Sequence, residues 1–249
     1  MQAPLSPWDT PPEMLLLSQE EVHVWRAWLD LPQSNIEELE PALSDDERIR
    51  ARRFHFARDR MRFIAAHGQL RVVLGRYLAR EPHSLSFTYN AYSKPSLAGL
   101  SGGKDLSFNM SHAGSIALFA IARNPVLGVD IEYIQRQMEW ESIAERFFSP
   151  YEVRMLGAVP PAMRHIAFFN CWTRKEAYIK ARGMGLSLAL DSFDVSLTPG
   201  EPARLLNIRE EGQDSANWSL YELYPGDDYI AALAIEGHVS SLKCWQCEV

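Results

Sequence analysis

Asp130 and Glu132 stand two residues apart in Leu127-Gly-Val-Asp-Ile-Glu132, a segment that reads as a strand. Side chains alternate along a strand, so both carboxylates face the same way. Like charges that close repel unless a cation or several donors stand between them. Two hard oxygen donors on one face are what Mg²⁺ takes, with water and a substrate phosphate filling the rest of its roughly octahedral shell. Alone the pair is a weak signal, because Asp-x-Glu at a strand end is commonly a solvated edge.

Two further groups strengthen it. In Phe169-Asn-Cys-Trp-Thr-Arg-Lys-Glu-Ala-Tyr-Ile-Lys180 the residues Trp172, Glu176 and Lys180 fall at i, i+4 and i+8, one stripe of a helix. That stripe is either a core tryptophan beside an ordinary Glu–Lys pair, or a third carboxylate for a metal with a lysine for phosphate oxygens. Upstream, Ser93-Lys94-Pro95 marks a turn, and Phe108-Asn-Met-Ser111-His112 ends a strand with a hydroxyl and an imidazole. Lysine, serine and histidine near turns all hold phosphate well. Read alone, His112 is more simply a turn histidine bonded to its own backbone.

The elements that must position these groups follow from pattern. Val22–Trp28 alternates apolar and polar and reads as a strand. Ser44-Asp-Asp-Glu47 is a capping box opening a helix, and apolar residues from Phe63 to Leu78 recur at helical spacing over about 60–80. Strands are expected at 85–89, 116–121 and 127–132. Ser149-Pro-Tyr-Glu152 opens another helix with N-cap, N1 proline and N3 glutamate in register. A helix over about 162–182 ends near Gly183 and Gly185, and strands return toward the C-terminus. Residues 116–121 and 230–235 align without gaps, each after a Gly-containing polar turn and a long helix. The expectation is an internal duplication: an α+β fold of two similar halves, each a long helix packed on a small antiparallel sheet, related by a pseudo-two-fold axis. The halves are 1–125 and 126–249, with the ligand site on the seam.

Composition bounds the function. The chain has 249 residues, 47% hydrophobic and 23% charged, as in an ordinary soluble protein. No apolar run approaches the ~20 residues that span a bilayer, and residues 1–20 read as an irregular lead-in rather than a signal peptide. The net charge of −7 argues against a nucleic-acid binder. Seven arginines nevertheless crowd into 48–62: Arg48, Arg50, Arg52, Arg53, Arg58, Arg60 and Arg62. Such a cluster on an acidic chain suggests a small anionic ligand or a local docking face, although most of its members are expected to be solvated. Three cysteines make no disulfide framework and suggest a reducing cytoplasm. Cys244-Trp-Gln-Cys247 lacks two more metal ligands and reads as two thiols near a frayed terminus.

The order Arg-rich helix, Lys-Pro, Asn-x-Ser-His, Gly-Val-Asp-Ile-Glu, Phe-Phe-Ser-x-x-Glu, Trp-x-x-Lys-Glu-Ala-x-x-Lys resembles the 4′-phosphopantetheinyl transferases of the large, pseudo-dimeric type that activates surfactin synthetase. The resemblance runs from about Leu43 to Phe193 and more loosely to Ile235. It implies transfer of the phosphopantetheine arm of coenzyme A to a serine of an apo acyl or peptidyl carrier protein, with release of 3′,5′-ADP. It implies Asp130, Glu132 and Glu176 as Mg²⁺ ligands and Lys180 on the pyrophosphate. Arg50, Arg53, Lys94, Ser111 and His112 would hold the adenosine and 3′-phosphate end. Asp130, Glu176 and Lys180 would carry the chemistry, with Glu176 as base, directly or through a metal-bound water. Glu152 matches an acidic position near the metal site but also satisfies a helix cap. A cytoplasmic monomer is implied, with no nucleic acid or membrane as partner. Two alternatives stay open. One is another Mg²⁺ phosphotransferase, although no G-x-x-x-x-G-K-[ST] loop is present. The other is a non-catalytic coenzyme A or carrier-protein binding module.

Overall fold

A computed structural model describes residues 8–99, 106–135 and 138–248; the first seven residues of the expected lead-in lie outside them. The chain is mixed α+β and divides into two compact units, one of residues 125–240 and one of residues 8–124 joined by 241–248.

The N-terminal unit runs β1 (Glu21–Trp28), α1 (Gln33–Leu39), α2 (Asp45–Arg52), α3 (Ala57–Leu78), β2 (Phe87–Tyr89), β3 (Pro95–Leu97), β4 (Leu106–Ala113) and β5 (Ile116–Arg123). Helix α2 starts where the sequence places it. The Glu47 N–H donates to Ser44 Oγ, and the Ser44 N–H donates to Glu47 Oε2. Helix α3 has 22 residues and ends at Ala79, which takes the left-handed conformation and donates its N–H to Gly75 O. Strands β1, β5 and β4 pair antiparallel, while β2 and β3 form a separate ribbon. Strand β5 is buried along nearly its whole length, which is why its sequence is a continuous apolar run.

The central unit runs β6 (Leu127–Tyr133), α4 (Trp140–Phe147), α5 (Pro150–Ala158), α6 (Pro161–Arg182), β7 (Phe193–Val195), β8 (Leu205–Ile208), β9 (Trp218–Leu223) and β10 (Tyr229–Glu236). Helix α5 carries the expected capping box, Ser149 with Glu152. Helix α6, also 22 residues long, begins on a proline and stops at Gly183, whose φ of 63° suits a residue without Cβ. Strand β10 lies between β6 and β9, antiparallel to both.

The last strand departs from the expected division. β11 (Ser241–Gln246) pairs in parallel with β1, so the C-terminus folds into the N-terminal unit and not with the residues that precede it. The Cys-x-x-Cys thiols are therefore not frayed. Cys244 and Cys247 are both buried and free, and burial pushes the Cys244 thiol up to about 12. Thiols that stay protonated to that degree are poor metal ligands and poor nucleophiles.

In the central unit one contact sets the position of the long helix. A Cβ on Gly128 of β6 would lie 2.3 Å from Ala177 O and 2.3 Å from Ala181 N. Strand backbone and helix backbone touch there, with no side chain between them. Replacing Gly128 by Ala requires the whole of α6 to move, since backbone cannot rotate aside. We expect Gly128→Ala to lower stability by at least the ~1–3 kcal/mol of an overpacked core, read as a fall in the urea midpoint. An unchanged midpoint would show that α6 has slack at this contact.

Candidate functional site

The face of β6 that carries Gly128 also carries Asp130 and Glu132, because side chains repeat every second residue. Since Gly128 faces α6, both carboxylates face α6. Two strand residues advance about 6.6 Å and four helical residues about 6 Å. The strand's period of two and the helix's period of four therefore stay nearly in step. Lys180 Nζ donates to Asp130 Oδ1 at 2.6 Å, and Trp172 Nε1 donates to Glu132 Oε1 at 3.2 Å. Along the middle of α6, Trp172, Glu176 and Lys180 are half-open while the residues between them are buried. The expected stripe is thus the one open line of an otherwise enclosed stretch of helix, and it lies over the two carboxylates of β6.

The electrostatics of this line are those of crowded acids. Burial pushes the Glu132 carboxyl up to about 7, with Asp130 and Glu176 adding to the rise and Trp172 and Lys180 opposing it. Burial also raises Glu176, the Asp130 charge adds to it, and Lys180 again opposes. An added cation would relieve all of these, and the donors are the hard oxygens that Mg²⁺ prefers. Among the described residues no group of three or more His, Cys, Asp or Glu side chains is drawn close enough to form a ready metal cage. In this structure Asp130 has the Lys180 ammonium as its cation.

Glu152 stands apart from this line. Its carboxylate is fully buried and accepts from Ser149 N at 2.9 Å and Val195 N at 2.8 Å, with Lys175 Nζ 2.8 Å away. With these three partners and no exposure, Glu152 serves the fold. The pairing with Lys175, the residue just before Glu176, was not readable from the motif, where Lys175 looks like any helix lysine.

The phosphate-type residues of the N-terminal unit separate into four places. His112 helps line a pocket of about 300 Å³ with Phe54, Arg62, Phe63 and His67. Arg50 stacks its guanidinium 5.2 Å above the Phe63 ring and so reaches the same pocket wall. Ser111, next along β4, alternates to the covered side and is buried while His112 is exposed. Lys94 sits in the β2–β3 turn, its backbone N–H on Asn90 Oδ1 at 2.9 Å, and burial lowers its ammonium to about 8. Arg53 caps the C-terminal end of α2. Of the seven clustered arginines, Arg48, Arg58, Arg60 and Arg62 lie against carboxylates. Arg50, Arg52 and Arg53 have no ion pair among the described residues, so the uncompensated charge is concentrated at the end of α2.

Residues 126–234 match the 4′-phosphopantetheinyl transferase superfamily, and residues 27–124 match the 4′-phosphopantetheinyl transferase N-terminal family. The chain is 42% identical to the 4′-phosphopantetheinyl transferase HetI of Nostoc sp. strain PCC 7120, over 94% of this chain and 95% of that one. It is 33% identical to the 4′-phosphopantetheinyl transferase Sfp of Bacillus subtilis strain 168, over 70% of this chain and 76% of that one. The chain belongs to the 4′-phosphopantetheinyl transferases, and within them to the large surfactin-synthetase-activating type.

Proposed function

We propose that this enzyme moves the 4′-phosphopantetheine arm of coenzyme A to a serine of an apo acyl or peptidyl carrier protein in a Mg²⁺-dependent reaction that releases 3′,5′-ADP. The observation that carries this reading is the line of Asp130, Glu132, Glu176 and Lys180 along the β6–α6 contact, with Asp130 buried and the other three half-open. Asp130, Glu132 and Glu176 would hold the metal, which supplies neutralising charge for the pyrophosphate when bound. Phosphoryl transfer asks mainly for positioning and charge neutralisation. Lys180 lies on Asp130 and is half-open, so its ammonium can turn from the carboxylate to a phosphate oxygen. Glu176, whose proton affinity is raised by burial and by Asp130, is suited to accept the serine proton.

The N-terminal unit would take the adenosine and 3′-phosphate end, through Arg50, Arg53, Lys94, Ser111 and His112. The unpaired charge of Arg50 and Arg53 and the pocket beside His112 support this. The same reading makes the two units copies of one ancestral α+β unit. Support comes from the element order: a strand, short helices with one capping box, a 22-residue helix, a two-stranded ribbon and an antiparallel pair occur in both.

Incubation with coenzyme A, Mg²⁺ and an apo carrier protein should add the mass of phosphopantetheine to the carrier. A binding module without catalysis would leave the carrier mass unchanged. Asp130→Ala should abolish this transfer. Glu176→Gln keeps the shape and the helix but cannot take a proton, so single-turnover transfer should fall by roughly the 10²–10⁴-fold of a lost general base. A near wild-type rate in Glu176→Gln would remove Glu176 from the chemistry.

The 3′-phosphate assignment has its own test. Charge-assisted bonds to phosphate contribute about 1.5–3 kcal/mol each. Lys94→Ala and His112→Ala should therefore weaken calorimetric binding of coenzyme A by more than that of dephospho-coenzyme A. Equal losses for both ligands would show that these side chains serve another part of the molecule.

A further inference from the structure

Lys175 is fully buried one residue before Glu176, and its ammonium has three acceptors. It donates to Leu190 O at 2.6 Å and Phe193 O at 2.7 Å and lies 2.8 Å from Glu152 Oε2. An ammonium has three hydrogens, so none is left for a substrate phosphate. The Phe193 ring lies 4.2 Å from the nitrogen and closes the remaining side. The same Glu152 is held by the capping box of α5 and by Val195 N. One buried charge pair thus fastens three things together: the start of α5, the middle of α6 and the segment 190–195.

The N-terminal unit contains the same device. Glu47, the capping-box residue of α2, accepts from Arg71 Nε at 2.6 Å. Arg71 also donates to Pro82 O at 3.0 Å and Leu85 O at 2.9 Å and lies 4.8 Å from the Phe87 ring. Both cations occupy the same place on their helices, Arg71 counted from Ala57 and Lys175 counted from Pro161. Each joins a capping-box glutamate before the helix to two carbonyls after it, with a phenylalanine from the following ribbon alongside. The residue that follows differs: Val72 in α3, Glu176 in α6. The fastening therefore exists where no acid follows it, which separates it from proton or phosphate chemistry.

We infer that Lys175 is a positioning residue: by fixing the rotation of α6 from its buried side, it holds Glu176 and Lys180 over Asp130 and Glu132. Successive helical residues are about 100° apart, so locking the direction of residue 175 sets that of residue 176. This rests on the function proposed above, in which the stripe on α6 carries the reaction. Misplacement of a reacting group by about 1 Å can cost roughly 10²-fold in rate, which is the scale of effect expected.

The test uses the full chain with two variants, Lys175→Met and the paired Glu152→Gln/Lys175→Met, the second leaving no buried charge without its partner. Wild-type transfer to an apo carrier protein is measured first; if it is absent, the proposed function fails and not this inference. With wild type active, the folded paired variant should lose roughly 10–100-fold in kcat, while KM and the calorimetric Kd for coenzyme A change less than about threefold. Amide exchange in 190–195 should quicken in the same variant, a readout independent of activity. The matching pair Glu47→Gln/Arg71→Met should lower stability without lowering kcat at saturating coenzyme A. An unchanged kcat in the folded paired variant overturns the inference. So does a rise in Kd for coenzyme A that exceeds the fall in kcat, which would put Lys175 on the substrate. Should Lys175→Met and the paired variant both fail to fold, Lys175→Arg decides. Arg71 shows that a guanidinium can make these contacts, so recovery of folding with a kcat close to wild type is expected, and a folded Lys175→Arg variant that binds coenzyme A normally yet has lost transfer would contradict a role through positioning alone.

Discussion

Backbone meets backbone where Gly128 of β6 faces Ala177 and Ala181 of α6, and most of what the central unit does depends on that contact. Any side chain there would hold helix and strand further apart. With none, the side chains two and four residues along β6 reach the helix directly, Asp130 to Lys180 and Glu132 to Trp172. Two strand residues match only four helical residues in length, so partners eight apart on α6 are reached because the long Lys180 side chain extends back along the helix to Asp130. A strand-period pair of acids and a helix-period stripe thereby become one line of groups.

Close apposition brings like charges together, and the fold opposes this with charges placed elsewhere. Glu132 and Glu176 are raised by their own burial and by neighbouring acids. Beneath them the Glu152–Lys175 pair is fully enclosed. Losing one partner of such a pair costs roughly 3–5 kcal/mol, because the other is left charged and unsolvated. Glu47 in the N-terminal unit shows the same principle. Burial alone would raise it, yet hydrogen bonds from His67, Ser44 N and Arg71, with the Arg71 charge, hold it down at about 2. Both buried pairs lie on the side of the long helix that faces its own unit.

Local features were legible in the sequence because local rules produce them. Both capping boxes and the stripe Trp172–Glu176–Lys180 follow from spacings of three and four residues, and the end of α6 near Gly183 follows from the glycine itself. The strand face of Asp130 and Glu132 follows from a spacing of two. What was not legible depends on residues far apart in the chain. The parallel pairing of β11 with β1 joins Glu21 to Ser241, and nothing near Cys244 announces it. Glu152 reads as a cap that also matches an acidic position near the metal site, and nothing in the motif marks Lys175 as buried, until Leu190 and Phe193 are brought over them. The role of Gly128 is invisible in one dimension, since only the neighbouring helix shows what a methyl group would strike.

Electron paramagnetic resonance of Mn²⁺, used in place of Mg²⁺ with coenzyme A present, tests most directly whether β6 and α6 build one metal-dependent site. The account predicts one bound ion per chain. Its affinity should fall in each of Asp130→Ala, Glu132→Ala and Glu176→Ala by more than the roughly 10–100-fold that loss of an outer-shell partner costs. Wild-type Mn²⁺ affinity retained in all three variants would contradict it.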